Sequence, residues 1–107
     1  MSELHDLIII GGGPAGLTTG IYSSRSGLDV VLLEKQMPGG QISTSQRVEN
    51  FPGYSEAITG MELTDKMQEQ AKKFGTKIEN FNDVTSLKKK DNVLTIKAGD
   101  KEFSSYA

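Results

Sequence analysis

LIIIGGGPAG, residues 7–16, joins four apolar residues to a turn that contains three consecutive glycines. The apolar run is typical of a buried parallel strand, and the small residues from Pro14 onward favour a helix. Gly11 permits a tight turn out of the strand, Gly13 lets the backbone approach a ligand closely, and Gly16 lets the helix pack close to the sheet. The spacing therefore predicts a site for the pyrophosphate of a dinucleotide.

The start of the predicted helix supports the same site. Pro14 suits the first helical turn, because its missing N–H would be unpaired there in any case. The helix N-terminus directs unpaired N–H groups and a partial positive charge toward the phosphates. An ordinary strand–helix turn with accidental glycines is the alternative. It is disfavoured because the motif lies between a strand and a helix and is followed by an acidic residue about 20 positions on.

That acidic residue is Glu34, which ends the second apolar run, residues 30–33. A carboxylate at this strand end can accept hydrogen bonds from both ribose hydroxyls of an adenosine, and it would repel a 2′-phosphate. The sequence therefore disfavours NADP at this site and leaves FAD and NAD. A solvated charge beside Lys35 is the alternative reading of Glu34.

Composition narrows the class of protein. The 107 residues suffice for one small domain, and the net charge of −2 argues against nucleic-acid and acidic-membrane partners. The sequence has no long apolar run, and residues 1–6 lack a secretory apolar region, so a cytoplasmic protein is expected. Cysteine is absent, which excludes disulfides and a Cys-x-x-Cys pair from this chain. The single histidine, His5, is expected to face solvent, and no metal site is expected.

Hydrophobic patterning predicts an α/β fold. Thr59 and Glu62 match a capping box for the second helix, and Gly27 and Gly75 match the C-caps of the two helices. Lysines 88–90 are expected at an exposed sheet edge, where they discourage strand addition, rather than in a phosphate or nucleic-acid site. The predicted strands are 6–10, 30–33, 77–80, 84–89, 93–98 and 102–106, and the predicted helices are 14–26 and 60–74.

A second group of motifs lies in the connection between residues 36 and 58, which is long for a compact domain. It contains GGQ at 39–41, Thr44 and VENFPG at 48–53. Together with the glycine-rich turn, ITG at 58–60 and the following helix, these motifs resemble the amino-terminal part of the FAD domain of low-molecular-weight thioredoxin reductases. The resemblance covers nearly the whole chain.

The resemblance implies a set of FAD-binding residues. Gly13, Pro14 and Ala15 would cradle the pyrophosphate, and Glu34 would hold the adenosine ribose. In the long connection, Gly40 and Gln41 would contact the cofactor. Thr44 and Asn50 would lie toward the ribityl chain and flavin, unless they serve hydrogen bonds within the loop. Val84 would meet the adenine through its backbone. The complete set of candidates is Gly11, Gly13, Pro14, Ala15, Gly16, Glu34, Lys35, Gly40, Gln41, Thr44, Asn50 and Val84; none is catalytic.

The implied fold is a partial Rossmann-like FAD-binding domain. It consists of a parallel sheet of two or three strands with two helices, plus a three-stranded antiparallel meander. Residues 1–107 would be the amino-terminal part of this one domain. Family members continue with an NAD(P)H domain, a Cys-x-x-Cys pair and a closing segment, so this chain is expected to be an incomplete, inactive fragment. The free edge of the first strand predicts marginal stability or a covering partner chain.

In the complete enzyme, electrons would pass from NAD(P)H through FAD to the disulfide of a thioredoxin-like protein, with the flavin supplying the chemistry. The resemblance also implies a homodimer. One alternative is the FAD segment of a thioredoxin-reductase-like ferredoxin–NADP reductase. The other is a non-catalytic nucleotide-binding fragment.

Overall fold

Two sheets and two helices form the part of the chain that the computed structural model describes, residues 3–36, 39 and 43–107. The elements follow one another as β1 (Leu4–His5), β2 (Leu7–Ile10), α1 (Pro14–Arg25), β3 (Val30–Leu33), α2 (Gly60–Phe74), β4 (Lys77–Glu79), β5 (Val84–Lys90), β6 (Val93–Ala98) and β7 (Lys101–Ser105). The α/β class predicted from the sequence is confirmed.

The parallel sheet has the strand order β2-β3-β4. Ile10 of β2 is in register with Leu33 of β3, which is in register with Glu79 of β4. We call the line formed by these three strand ends the carboxyl edge. All four residues of the central strand β3 are buried, as expected for a strand covered on both faces.

The second sheet contains the predicted antiparallel meander β5-β6-β7, extended by β1, which pairs in parallel with β7. The strand predicted over residues 6–10 is confirmed as β2, which begins one residue later, at Leu7. The short strand β1 was not predicted: the chain leaves one sheet after His5 and enters the other at Leu7. Asp6 separates the two strands. Its N–H donates to Asp29 O at 3.0 Å, and its carboxylate accepts the Asp29 N–H at 2.8 Å. These two hydrogen bonds fix the crossover.

Residues of β3 alternate between two faces, each with its own core. On one face Leu32 packs with Leu17 of α1 and Ala71 of α2, all fully buried. On the other face Leu33 packs with Ile96 of β6. The parallel sheet thus lies between the helices and the meander.

The predicted helix ends are confirmed. Gly27 follows the end of α1 with φ 90°, and Leu28 N–H donates back to Ser23 O at 3.2 Å. Gly75 ends α2 with φ 111°. At the start of α2 the Thr59 hydroxyl accepts the Glu62 N–H at 3.1 Å. Local sequence signals therefore set both helix boundaries to within a residue or two.

His5 does not face solvent as predicted. It is only 6% exposed, and its Nδ1 lies 3.0 Å from Asp29 Oδ2. The prediction was wrong because β1 is covered by β7, a pairing between residues 4–5 and 104–105 that local sequence does not encode.

The outer edge of β2 is partly paired. The Ala107 N–H donates to Asp6 O at 3.2 Å, and the Ile8 N–H donates to Ala107 O at 3.0 Å. This pattern places Ala107 beside Leu7 in parallel register. The edge that we expected to be free is therefore covered at its amino-terminal end.

Gly20 provides a test of the helix–sheet packing. A Cβ at this position would lie 2.9 Å from Thr76 Oγ1 and 3.1 Å from Thr76 Cγ2. We expect Gly20→Ala to lower the free energy of unfolding by about 1–3 kcal/mol in urea denaturation, because overpacking outweighs the gain in helix propensity. The same substitution in a Thr76→Ala background should cost less. An equal cost in both backgrounds would contradict the predicted contact.

Candidate dinucleotide site

The glycine-rich turn leaves β2 in the conformation that its sequence predicts. Gly11 has φ 108°, which a residue with a side chain rarely adopts, and its N–H donates to Leu33 O at 2.8 Å. Gly13 is the N-cap of α1 in an extended conformation, and Pro14 occupies the first helical turn. The first-turn N–H groups of α1 therefore start directly at the turn, with no side-chain cap on them.

Gly16 brings α1 against the turn itself. A Cβ at this position would lie 2.0 Å from Gly11 O and 3.3 Å from Ile9 Cγ2. The nearest obstacle is a backbone oxygen, which cannot rotate away as a side chain can. Close packing of helix on strand thus requires glycine here, as the motif predicts.

Glu34 follows β3 and turns its carboxylate toward the glycine-rich turn. Oε1 accepts the Gly12 N–H at 2.9 Å, and Oε2 accepts the Gln36 N–H at 2.7 Å. The side chain is half-buried. The carboxylate is therefore held at the carboxyl edge beside the turn, whereas its neighbour Lys35 is exposed. Sequence reasoning identified Glu34 but not the two backbone donors that orient it.

A third turn, residues 80–82, follows β4 and is hydrogen-bonded to the segment after β3. Asn82 N–H donates to Glu34 O at 2.8 Å, and Phe81 N–H donates to Gln36 O at 3.3 Å. Phe81 is 72% exposed and has φ 59°. Nothing in the sequence predicted this residue, because its conformation depends on the neighbouring turn. Val84 starts β5 nearby in sequence and is half-buried against the core beneath β3.

The long connection is described only in part. Gly40 and Gln41 lie outside the described residues. Thr44 lies in a short helical turn, and both Thr44 and Asn50 are exposed. The Gly39 N–H donates to Gly12 O, so Gly39 lies beside the glycine-rich turn.

Residues in the middle of the connection form hydrogen bonds with one another. Val48 and Ile58 form an antiparallel bridge that closes the 49–57 loop. Within that loop, Gly53 has φ 96° and Tyr54 N–H donates to Phe51 O at 3.2 Å, as in a type II turn with Pro52 and Gly53 at its centre.

A groove of about 360 Å³ lies between the two helices and the 51–54 turn. It is lined by Thr18, Ile21, Tyr22, Arg25, Phe51, Tyr54, Leu63, Lys66, Met67, Gln70 and Phe74. None of the ten predicted site residues that the structure describes lines it, so the groove is separate from the glycine-rich turn.

Within residues 3–36, 39 and 43–107, no group of three or more His, Asp or Glu side chains is placed to hold a metal ion. In the same part of the chain, neither helix has the length and apolar character needed to cross a membrane.

The family model for pyridine nucleotide-disulphide oxidoreductases matches residues 5–106, almost the whole chain. The chain belongs to this family. The match includes the glycine-rich turn, Glu34 and the long connection, which are the features that carried the resemblance to thioredoxin reductases. Family membership thus agrees with the geometry of the carboxyl edge.

Within the family, the chain is similar to thioredoxin reductases. It is 43% identical to the thioredoxin reductase of Bacillus subtilis over 109 residues, which cover 100% of this chain and 34% of that protein. The crystal structure of Lactococcus lactis thioredoxin reductase superposes with a TM-score of 0.91 at 37% identity, over 96% of this chain and 33% of that one. The crystal structure of thioredoxin reductase from Streptococcus pyogenes superposes with a TM-score of 0.92 at 33% identity, over 99% of this chain and 34% of that one. The chain thus spans about a third of the length of these relatives.

Proposed function

We propose that this chain binds the adenosine and pyrophosphate half of FAD at the carboxyl edge. The observation that carries the proposal is the Glu34 carboxylate, held by Gly12 and Gln36 N–H groups beside the start of α1. The carboxylate that we propose accepts from the ribose therefore lies beside the N–H groups that we propose donate to the phosphates, as a dinucleotide requires.

The described residues fit the cofactor. The close approach at Gly16 and the positive φ of Gly11 form a turn in which Gly13 and Pro14 are half-buried and Ala15 is exposed. Gly13, Pro14 and Ala15 bind the phosphates, Glu34 binds the ribose with Lys35 beside it, and the backbone at Val84 meets the adenine. Thr44 and Asn50 lie toward the ribityl chain and flavin. For Gly40 and Gln41, which are outside the described residues, the proposed contact with the cofactor rests on the resemblance alone. FAD supplies the electron-transfer chemistry when bound, and these residues bind and orient it.

We further propose that the polypeptide to which this chain belongs is a thioredoxin reductase. The support is its similarity, at 37–43% identity, to proteins of that name. Electrons would pass from NAD(P)H through FAD to the disulfide of a thioredoxin-like protein. The homodimeric state and the cytoplasmic location are proposed from the same resemblance.

Calorimetric titration of the chain with nucleotides tests the proposed site. We expect AMP, ADP and FAD to bind, because each offers an adenosine and a phosphate, and we expect FMN to bind more weakly. Adenosine 2′,5′-bisphosphate differs from AMP only by a 2′-phosphate, and it should bind more weakly because Glu34 repels that group. A chain that binds neither ADP nor FAD would refute the proposed function. Equal affinity for AMP and adenosine 2′,5′-bisphosphate would refute the proposal that Glu34 binds the ribose.

A further inference from the structure

We propose that Phe81 stacks on the adenine of the bound dinucleotide, an inference that rests on the proposed function. Phe81 is a bulky residue in the left-handed region, with φ 59°, and the residue is 72% exposed. An exposed aromatic ring alone is ordinary, as at Tyr22 and Tyr106. A strained backbone alone occurs also at Asp91, with φ 56°. Among the described residues Phe81 alone combines the two.

The strain at Phe81 has an identifiable cause. Its N–H is bound to Gln36 O at 3.3 Å, and the next N–H, of Asn82, is bound to Glu34 O at 2.8 Å. The Asn82 side-chain amide also donates to Asn80 O at 2.8 Å. These bonds tie the turn after β4 to the segment that carries the ribose acceptor. Since strained residues concentrate at ligand sites, a function for the outlier is the physical expectation.

The position along the carboxyl edge identifies the ligand group. Three turns follow neighbouring strands: the glycine-rich turn after β2, Glu34 after β3, and residues 80–82 after β4. Neighbouring strands lie about 4.8 Å apart, so the first and third turns are separated by roughly 10 Å. A dinucleotide runs in the covalent order pyrophosphate, ribose, adenine. With pyrophosphate at the first turn and ribose at Glu34, the adenine reaches the turn of Phe81.

The chemistry of the ring suits that neighbour. Adenine offers a flat π face, and a phenyl ring stacks on it with an energy that corresponds to roughly a tenfold change in affinity. The role proposed for Phe81 differs from that of Val84. The backbone of Val84 would contact the edge of the adenine, whereas the ring of Phe81 would stack on its face.

Phe81→Gly separates a ligand contact from a structural role. Glycine adopts the left-handed conformation without strain, and the exposed ring contributes little packing. We expect the variant to melt at or above the wild-type temperature, yet to bind ADP about tenfold more weakly by calorimetry. Phe81→Tyr, which keeps the ring, should retain wild-type affinity. FMN affinity should not change, because FMN has no adenine.

Asp91→Gly is the matched control. It likewise puts a glycine at a position with positive φ, in the turn between β5 and β6 and away from the carboxyl edge, and it should leave ADP affinity unchanged. Wild-type ADP affinity in Phe81→Gly, with binding intact in the parent chain, would overturn the stacking role and leave the proposed function standing. Failure of the parent chain to bind ADP would instead overturn both.

Discussion

Gly16→Ala should abolish nucleotide binding and lower the free energy of unfolding by at least about 3 kcal/mol. This cost exceeds that of a typical overpacking substitution in a protein core. We expect this large effect because a Cβ on residue 16 would clash with a backbone atom, Gly11 O, at a distance of 2.0 Å. Only movement of α1 or of the turn relieves that contact. Either movement displaces the N–H groups that we propose bind the pyrophosphate.

Urea denaturation and ADP titration measure the two effects of Gly16→Ala. Gly20→Ala is the matched comparison, because it lies one turn later in α1 and its Cβ would meet the side chain of Thr76. That variant should lose less stability and retain ADP binding. Wild-type stability and affinity in Gly16→Ala would show that the close approach of helix and turn is not required.

Glu34→Gln has the second large expected effect. The amide has the size of the carboxylate, but its NH₂ group would face an N–H donor, either that of Gly12 at Oε1 or that of Gln36 at Oε2. Loss of hydrogen bonds to a charged acceptor amounts to about 1.5–3 kcal/mol, so we expect the Kd for ADP to rise roughly 10- to 100-fold.

The same variant should discriminate less against adenosine 2′,5′-bisphosphate, since the charge that repels the 2′-phosphate is gone. Glu69→Gln changes an exposed glutamate of α2 in the same way and serves as control. Preserved ADP affinity together with preserved discrimination in Glu34→Gln would show that Glu34 does not bind the ribose.

Sequence reasoning succeeded where local chemistry determines local structure. The glycines at 11 and 16 were predicted from a turn and a close approach, and both requirements are present in the structure. The caps at Thr59 and Gly75 were likewise predictable, because a hydroxyl acceptor and a left-handed residue act within one helical turn.

The errors and omissions involve partners distant in sequence. His5 is buried because Asp29 and strand β7 cover it, and neither is adjacent in the chain. Phe81 is strained because its turn is bound to Gln36, 45 positions earlier. Such constraints arise only once the sheet order is known.

Amide chemical shifts during titration with ADP test the central claim most directly. We expect the shift changes to cluster at the carboxyl edge, at Gly12, Ala15, Glu34 and Phe81. Tyr22, in the groove between the helices, should not respond. Changes centred on that groove, with none at the glycine-rich turn, would contradict the proposed site.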